Sequence, residues 1–110
     1  MDDLTLPSAI TNFIAATNAG DSQRFVAQFT PDAVLNDWGT EYHGPTEIAN
    51  WNQTDNIGKQ SHFELQDFTR DDATTWTVQL VVTGNGFNGT SPFRMTIKDN
   101  RLANVTILPD

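Results

Sequence analysis

Two hydrophobic rhythms divide the chain. Up to about residue 58 the apolar residues recur at helical spacing. Leu6, Ala9, Ile10, Phe13, Ile14 and Thr17 share one face of a helix whose first turn suits Pro7. Gly20 supplies a stop, and Asp21 or Ser22 a cap for a second, short helix carrying Phe25, Val26 and Phe29, which Pro31 ends. Residues 33–37 read as a short strand and Thr40 to His43 as another. Pro45 at the first helical position, with Glu47 in the first turn, opens a third helix. Ile48, Ala49 and Trp51 are its apolar side, and Gly58 follows it.

From residue 61 the period falls to two. Phe63 and Leu65 are in phase and Phe68 is out of phase, so one extra residue, a β-bulge, is expected near Asp67. The segment 70–73 is a hairpin turn. Trp76, Val78, Leu80 and Val82 then alternate with Thr75, Thr77, Gln79 and Val81, and Phe93, Met95 and Ile97 with Arg94, Thr96 and Lys98. Asp99-Asn100 turns into a last strand with Leu102, Val105 and Ile107. Three helices followed by a strand meander predict an α+β fold, a curved mixed/antiparallel sheet wrapped around three N-terminal helices, with bulges supplying the curvature.

Composition narrows the partners. A chain of 110 residues is expected to form a single domain, 1–110, with one real core. Fourteen acidic residues against six basic leave a net charge of −8, which disfavours nucleic acid and anionic membrane surfaces. No apolar run approaches the length of a membrane helix. The acidic N-terminus lacks the basic region of a secretory leader and cysteine is absent, so a cytoplasmic location is the expectation. His43 and His62 are the chain's two histidines and make no recognisable metal-ligand set; no metal is expected. The segment "GNGFNG", Gly84 to Gly89, fits G-x-G-x-x-G literally, but Thr90-Ser91-Pro92 and a strand follow it where a dinucleotide site needs a helix. It reads as a hairpin loop or lid.

The candidate chemistry lies in "LNDWGTEYHGPTEI", residues 35–48. Alternation puts Ala33, Leu35 and Asp37 on one strand face and Val34, Asn36 and Trp38 on the other; pattern alone leaves open which faces inward. Turned inward, Asp37 is a desolvated general base; turned outward, it is a solvated turn aspartate before Gly39. Tyr42 is a candidate hydroxyl donor or a strand-edge side chain, and His43 an acid/base partner across the hairpin or a local packing residue. Trp51, Phe63, Trp76, Phe93 and Met95 suit the wall of an apolar pocket and, each singly, the core.

The stretches "FIAATNAGDSQRFVAQFTPDAVLND" and "HGPTEI", followed by the meander, resemble the nuclear-transport-factor-2-like superfamily, in particular its SnoaL-like and ketosteroid-isomerase-like members. The resemblance spans nearly the whole chain. It implies a cone (a cystatin-like roll) with an apolar pocket at its open end, Phe13 and Trp38 joining the residues above as its lining. "AVLND", Ala33 to Asp37, follows the strand pattern that ends in the isomerases' general-base Asp, which implies Asp37 in the pocket with Tyr42 or His43 as helper. Phe13 and Phe93 fall where those isomerases carry their oxyanion-hole Tyr and protonated Asp, and neither donates a hydrogen bond. The implied function is a small-molecule enzyme of isomerase or cyclase type acting on a small apolar carbonyl compound, or a non-catalytic module of the same fold binding an apolar ligand or a protein. The resemblance implies no cofactor, and a homodimer through the outer sheet face.

Overall fold

The computed structural model describes residues 6–108. Helix α1 spans Ser8–Ala19 and buries Ala9, Ile10, Phe13, Ala16 and Thr17. Gly20 ends it in the left-handed conformation (φ 69°), its N–H returning to the carbonyls of Ala16 and Thr17. Asp21 caps α2, Ser22–Ala27, by accepting from the Arg24 amide at 3.0 Å. Strands β1 (Phe29–Asp37) and β2 (Thr40–His43) form a hairpin. Helix α3, Gly44–Asp55, has Pro45 in its first turn, and Glu47 accepts from the His43 amide at 2.7 Å. A 3-10 turn, Ile57–Lys59, leads to β3 (His62–Arg70), β4 (Thr75–Thr83), β5 (Gly89–Lys98) and β6 (Arg101–Ile107).

The six strands make one mixed sheet in the order β2-β1-β6-β5-β4-β3, with β1 and β6 parallel and the other pairs antiparallel. The sheet does not close, and the three helices pack against it: an α+β fold, with α3 on β1 and α1 against β3 and β6. The expected bulge lies between Leu65 and Asp67 and returns Phe68 to the face it shares with Val78.

One boundary differs from expectation. Phe29 and Pro31 belong to β1 rather than to the end of α2. Phe29 pairs with Leu102, and the Leu102 amide donates to the Gln28 carbonyl at 2.7 Å, which draws the chain into the sheet two residues after the helix. Pro31, which has no N–H to give a ladder, sits where the β1–β6 register shifts between Phe29 and Val34.

Phe13 is the hub of the core. Its ring, fully buried, meets Phe25 at 5.1 Å, Phe63 at 5.6 Å, and Phe29 and Phe93 at 6.2 Å. Burial of five such rings supplies a large share of the folding free energy, each worth about 1.5–3 kcal/mol.

Candidate functional site

A cavity of about 340 Å³ opens between the end of the β1–β2 hairpin, the C-terminal half of α3 and the β4–β5 end of the sheet. Its apolar wall is Trp51, Phe63, Val82, Phe93 and Ile107, with Trp38 and Phe87 at the mouth. Its polar groups are Asp37, Asp55, Asn56, Ser61 and Ser91.

Asp37 lies on the inward face of β1 with Ala33 and Leu35, both fully buried. Its Oδ2 accepts a hydrogen bond from the Trp51 indole Nε1 at 3.0 Å, which ties the strand to α3. Cross-strand neighbours share a face, so the register settles its hairpin companions. Tyr42 pairs with Leu35, and thus shares the face of Asp37; His43 pairs with Val34 and points the other way. Of the two readings of His43, the acid/base partnership with Asp37 is therefore not formed. The His43 ring is exposed, with Nε2 3.2 Å from Glu41 Oε1 on the same outer face. Tyr42 packs on the margin of the core and does not line the cavity, but its phenol pKa is raised, by desolvation and then by the negative charges of Asp55 and Asp37. The phenol stays an O–H donor throughout the neutral range.

Trp38 illustrates how a turn overrides alternation. Strict alternation sends it to the outer face. Instead Trp38 and Gly39 both take positive φ (52° and 99°) between the paired Asp37 and Thr40, the two-residue hairpin turn that matches strand twist. Asn36 Oδ1 accepts from the Gly39 amide at 2.7 Å and fixes it. The turn brings the Trp38 ring back over the mouth, edge-on to Phe87 at 5.7 Å, and leaves the two rings 52% and 41% exposed. Phe87 is carried by the Gly84–Gly89 loop. That loop is stitched by the Asn88 side chain to the Gly84 and Gly86 carbonyls and anchored by the Asn85 amide on the Lys59 carbonyl. A strand follows it, so it offers no helix N-terminus to a pyrophosphate.

Of the expected lining, Trp38, Trp51, Phe63 and Phe93 border the cavity, whereas Phe13, Trp76 and Met95 do not. Phe13 is buried beneath Phe63 and Phe93. Trp76 pairs with Met95 at the far end of β4, six residues from Val82, about 20 Å along the strand. There the Arg70 guanidinium stacks 5.1 Å from the Trp76 ring. Several bordering residues carried no signal in the hydrophobic pattern. Asp55 was legible in principle, because it lies one helical turn after Trp51 and must share its face. Ser91 and Ile107 reach the cavity through strand pairing, and Ser61, just before β3, is held by its amide on the Asn56 carbonyl.

Behind the cavity a buried polar network holds the end of α3. The Asn56 amide donates to Thr17 Oγ1 and Asn52 Oδ1, both at 3.1 Å, and the Asn52 amide to Ser22 Oγ at 3.2 Å. The Ser91 hydroxyl donates to the Leu108 carbonyl at 2.8 Å. These donors are committed to structure. What the wall presents to a guest is carboxylate oxygen, aromatic surface and the Ser61 hydroxyl. Among the described residues no group of three or more His, Cys, Asp or Glu could hold a metal, and no helix is long and apolar enough to cross a membrane.

The same architecture occurs in solved structures. A candidate polyketide cyclase from Sinorhizobium meliloti is 27% identical, with a TM-score of 0.81 over 93% of this chain and 94% of that one. A candidate ketosteroid isomerase from Kribbella flavida shares the fold at 13% identity, with a TM-score of 0.80 over 94% of this chain and 77% of its own. A computationally designed 17-OHP binder does so at 14% identity, with a TM-score of 0.84 over 94% and 88%. No curated protein matches the chain in sequence. The SnoaL-like domain family matches residues 10–105, nearly the entire span of the helices and the sheet. With that match added to the bent sheet, the three helices and the aromatic cavity, the chain belongs to the SnoaL-like family.

Proposed function

We propose that the chain takes up a small, largely apolar molecule in the cavity and that Asp37 meets the molecule's polar end as a hydrogen-bond and proton acceptor. The observation that carries this reading is the Asp37 carboxylate on the wall of an aromatic cavity, one oxygen held by the Trp51 indole and the other without a hydrogen-bond partner among the described residues. The volume, about 340 Å³, falls at the small end of ligand pockets and suits a one- or two-ring molecule. The test is a titration with cyclohexanol followed by the NMR signal of the Trp51 indole N–H. Saturable shifts are expected, with affinity about tenfold lower in Asp37→Asn. Absence of any saturable shift at the cavity overturns the reading.

A second reading makes the protein a catalyst, with Asp37 as general base on a small apolar carbonyl compound. It is favoured by the position of Asp37 at the end of an inward strand, and it needs a donor for the developing oxyanion. The Ser61 hydroxyl is the candidate on the cavity wall, because the Trp51, Asn56 and Ser91 donors are spent. Its test is deuterium uptake beside the carbonyl of cyclohexanone in heavy water. Uptake above the buffer rate that falls at least about a hundredfold in Asp37→Asn supports catalysis; equal rates leave a binding module. A homodimer through the outer face of β4 and β5 is part of the proposal. Val81→Arg on that face is expected to convert a dimer to a monomer in sedimentation analysis.

A further inference from the structure

The cavity is acidic and acceptor-rich. Among the described residues its charged groups are Asp37 and Asp55, both carboxylates, and no Lys, Arg or His borders it. Among the described residues neither carboxylate has an ion-pair partner, and the His43–Glu41 ion pair lies on the opposite face of the hairpin. Asp55 is also the last residue of α3, and no basic residue occupies that helix's final turn. A carboxylate there adds to the negative end of the helix dipole, an arrangement that costs stability and concentrates negative potential at the cavity. The N–H and O–H groups of Trp51, Asn56 and Ser91 are committed within the protein, so a guest finds acceptors and few donors.

The rest of the wall is aromatic, with Trp38 and Phe87 half-exposed at the entrance and Trp51, Phe63 and Phe93 within. Aromatic faces attract cations, and organic ammonium groups are the ligands that combine this attraction with a carboxylate counter-charge. A hydrated metal ion fits poorly: two carboxylates are too few ligands, and the remaining wall is apolar. An anionic ligand meets two like charges and no compensating cation.

We infer that the ligand of this cavity is a small organic ammonium, its charged head between the aromatic mouth and the Asp37 and Asp55 carboxylates and its apolar body against Phe63, Phe93, Val82 and Ile107. This rests on the reading of the cavity as a small-molecule site and names the class of molecule.

Three probes that share one phenyl body separate the two claims: phenethylammonium, 2-phenylethanol and phenylacetate. Each is titrated into the intact chain at low salt, with the Trp51 and Trp38 indole N–H signals as the readout. The expected order is ammonium, alcohol, carboxylate, with about tenfold between the first two. The ammonium preference is expected to vanish in the Asp37→Asn/Asp55→Asn double variant, whose amide spectrum reports its fold. If that variant does not fold, the wild-type titration at rising salt takes its place, and the preference is expected to shrink as the charges are screened. Alcohol binding as tight as ammonium binding overturns the inference and leaves the small-molecule site standing. Silence from all three probes overturns both.

Discussion

Trp38 occupies a backbone region that large side chains avoid. A left-handed φ of 52° costs a non-glycine residue about 1–2 kcal/mol, and asparagine, the usual occupant of such a turn, far less. The half-exposed edge contact with Phe87 recovers part of that, about 0.5–1 kcal/mol. Trp38→Asn is therefore expected to raise the unfolding free energy by about 0.5–1 kcal/mol in urea denaturation while weakening guest binding, a trade that marks the ring as kept for the cavity. Tyr42 reports on the same place from the other side. It is the chain's single tyrosine, so the ultraviolet titration of phenolate reads it alone. Its midpoint is expected above 10.0, and lower in Asp55→Asn and in Asp37→Asn, because each substitution removes a negative charge that opposes ionisation. The linked stability follows the same sign: a folded-state pKa above the unfolded one leaves stability whole below pH 10 and erodes it as pH climbs through the raised value, an erosion that Tyr42→Phe removes. That Asp37 shares a face with Ala33 and Leu35 was legible in the sequence because a period of two assigns faces by parity, whereas the choice of that face as the inner one came from the family resemblance. The bond of Asp37 to Trp51 was not legible, since it depends on how α3 lies across β1.

At the level of elements, the junction of α3 with the 3-10 turn carries the most constraint. Asn56→Ala strips Thr17 and Asn52 of a buried donor and is expected to cost about 2–4 kcal/mol in chemical denaturation, one to two unsatisfied groups' worth. Gly58 is tighter still: a Cβ there would lie 1.4 Å from the Gln53 carbonyl oxygen. Gly58→Ala must displace backbone, and a loss above about 4 kcal/mol or outright unfolding is expected. Strong local patterns were legible here: the 3.6 period of α1, the alternation of β4 and the phase slip at the β3 bulge each follow from residues a few positions apart. The start of β1 was not. Phe29 continues the helical spacing of Phe25 and Val26, and only its distant partner Leu102 assigns it to a strand. Trp76 and Met95 misled for a related reason. Alternation states that a side chain is inward but not how far along the strand the cavity lies.

The molecule as a whole is strongly acidic, with a net charge of −8, and mutual repulsion among carboxylates works against compaction. Salt is expected to raise the thermal midpoint, read by calorimetry in dilute and in concentrated sodium chloride, even as it weakens the capture of cations. The layer plan, helices on one side of a meander, was visible in the order of periodicities. The parallel seam between β1 and β6, with Leu35 beside Val105 and Asp37 beside Ile107, was not, because no local pattern encodes a pairing so distant along the chain. That seam sets a timetable. A ribosome delivers the strand that bears Asp37 early, but the strand that must lie beside it is made only after the meander is complete, and the closing of so long a loop is slow. During synthesis the carboxylate-bearing hairpin waits with an open edge, and the cavity comes into being with the last strand to arrive. A nascent chain stalled before residue 101 would have its helices and most of its sheet, and no place to receive a guest.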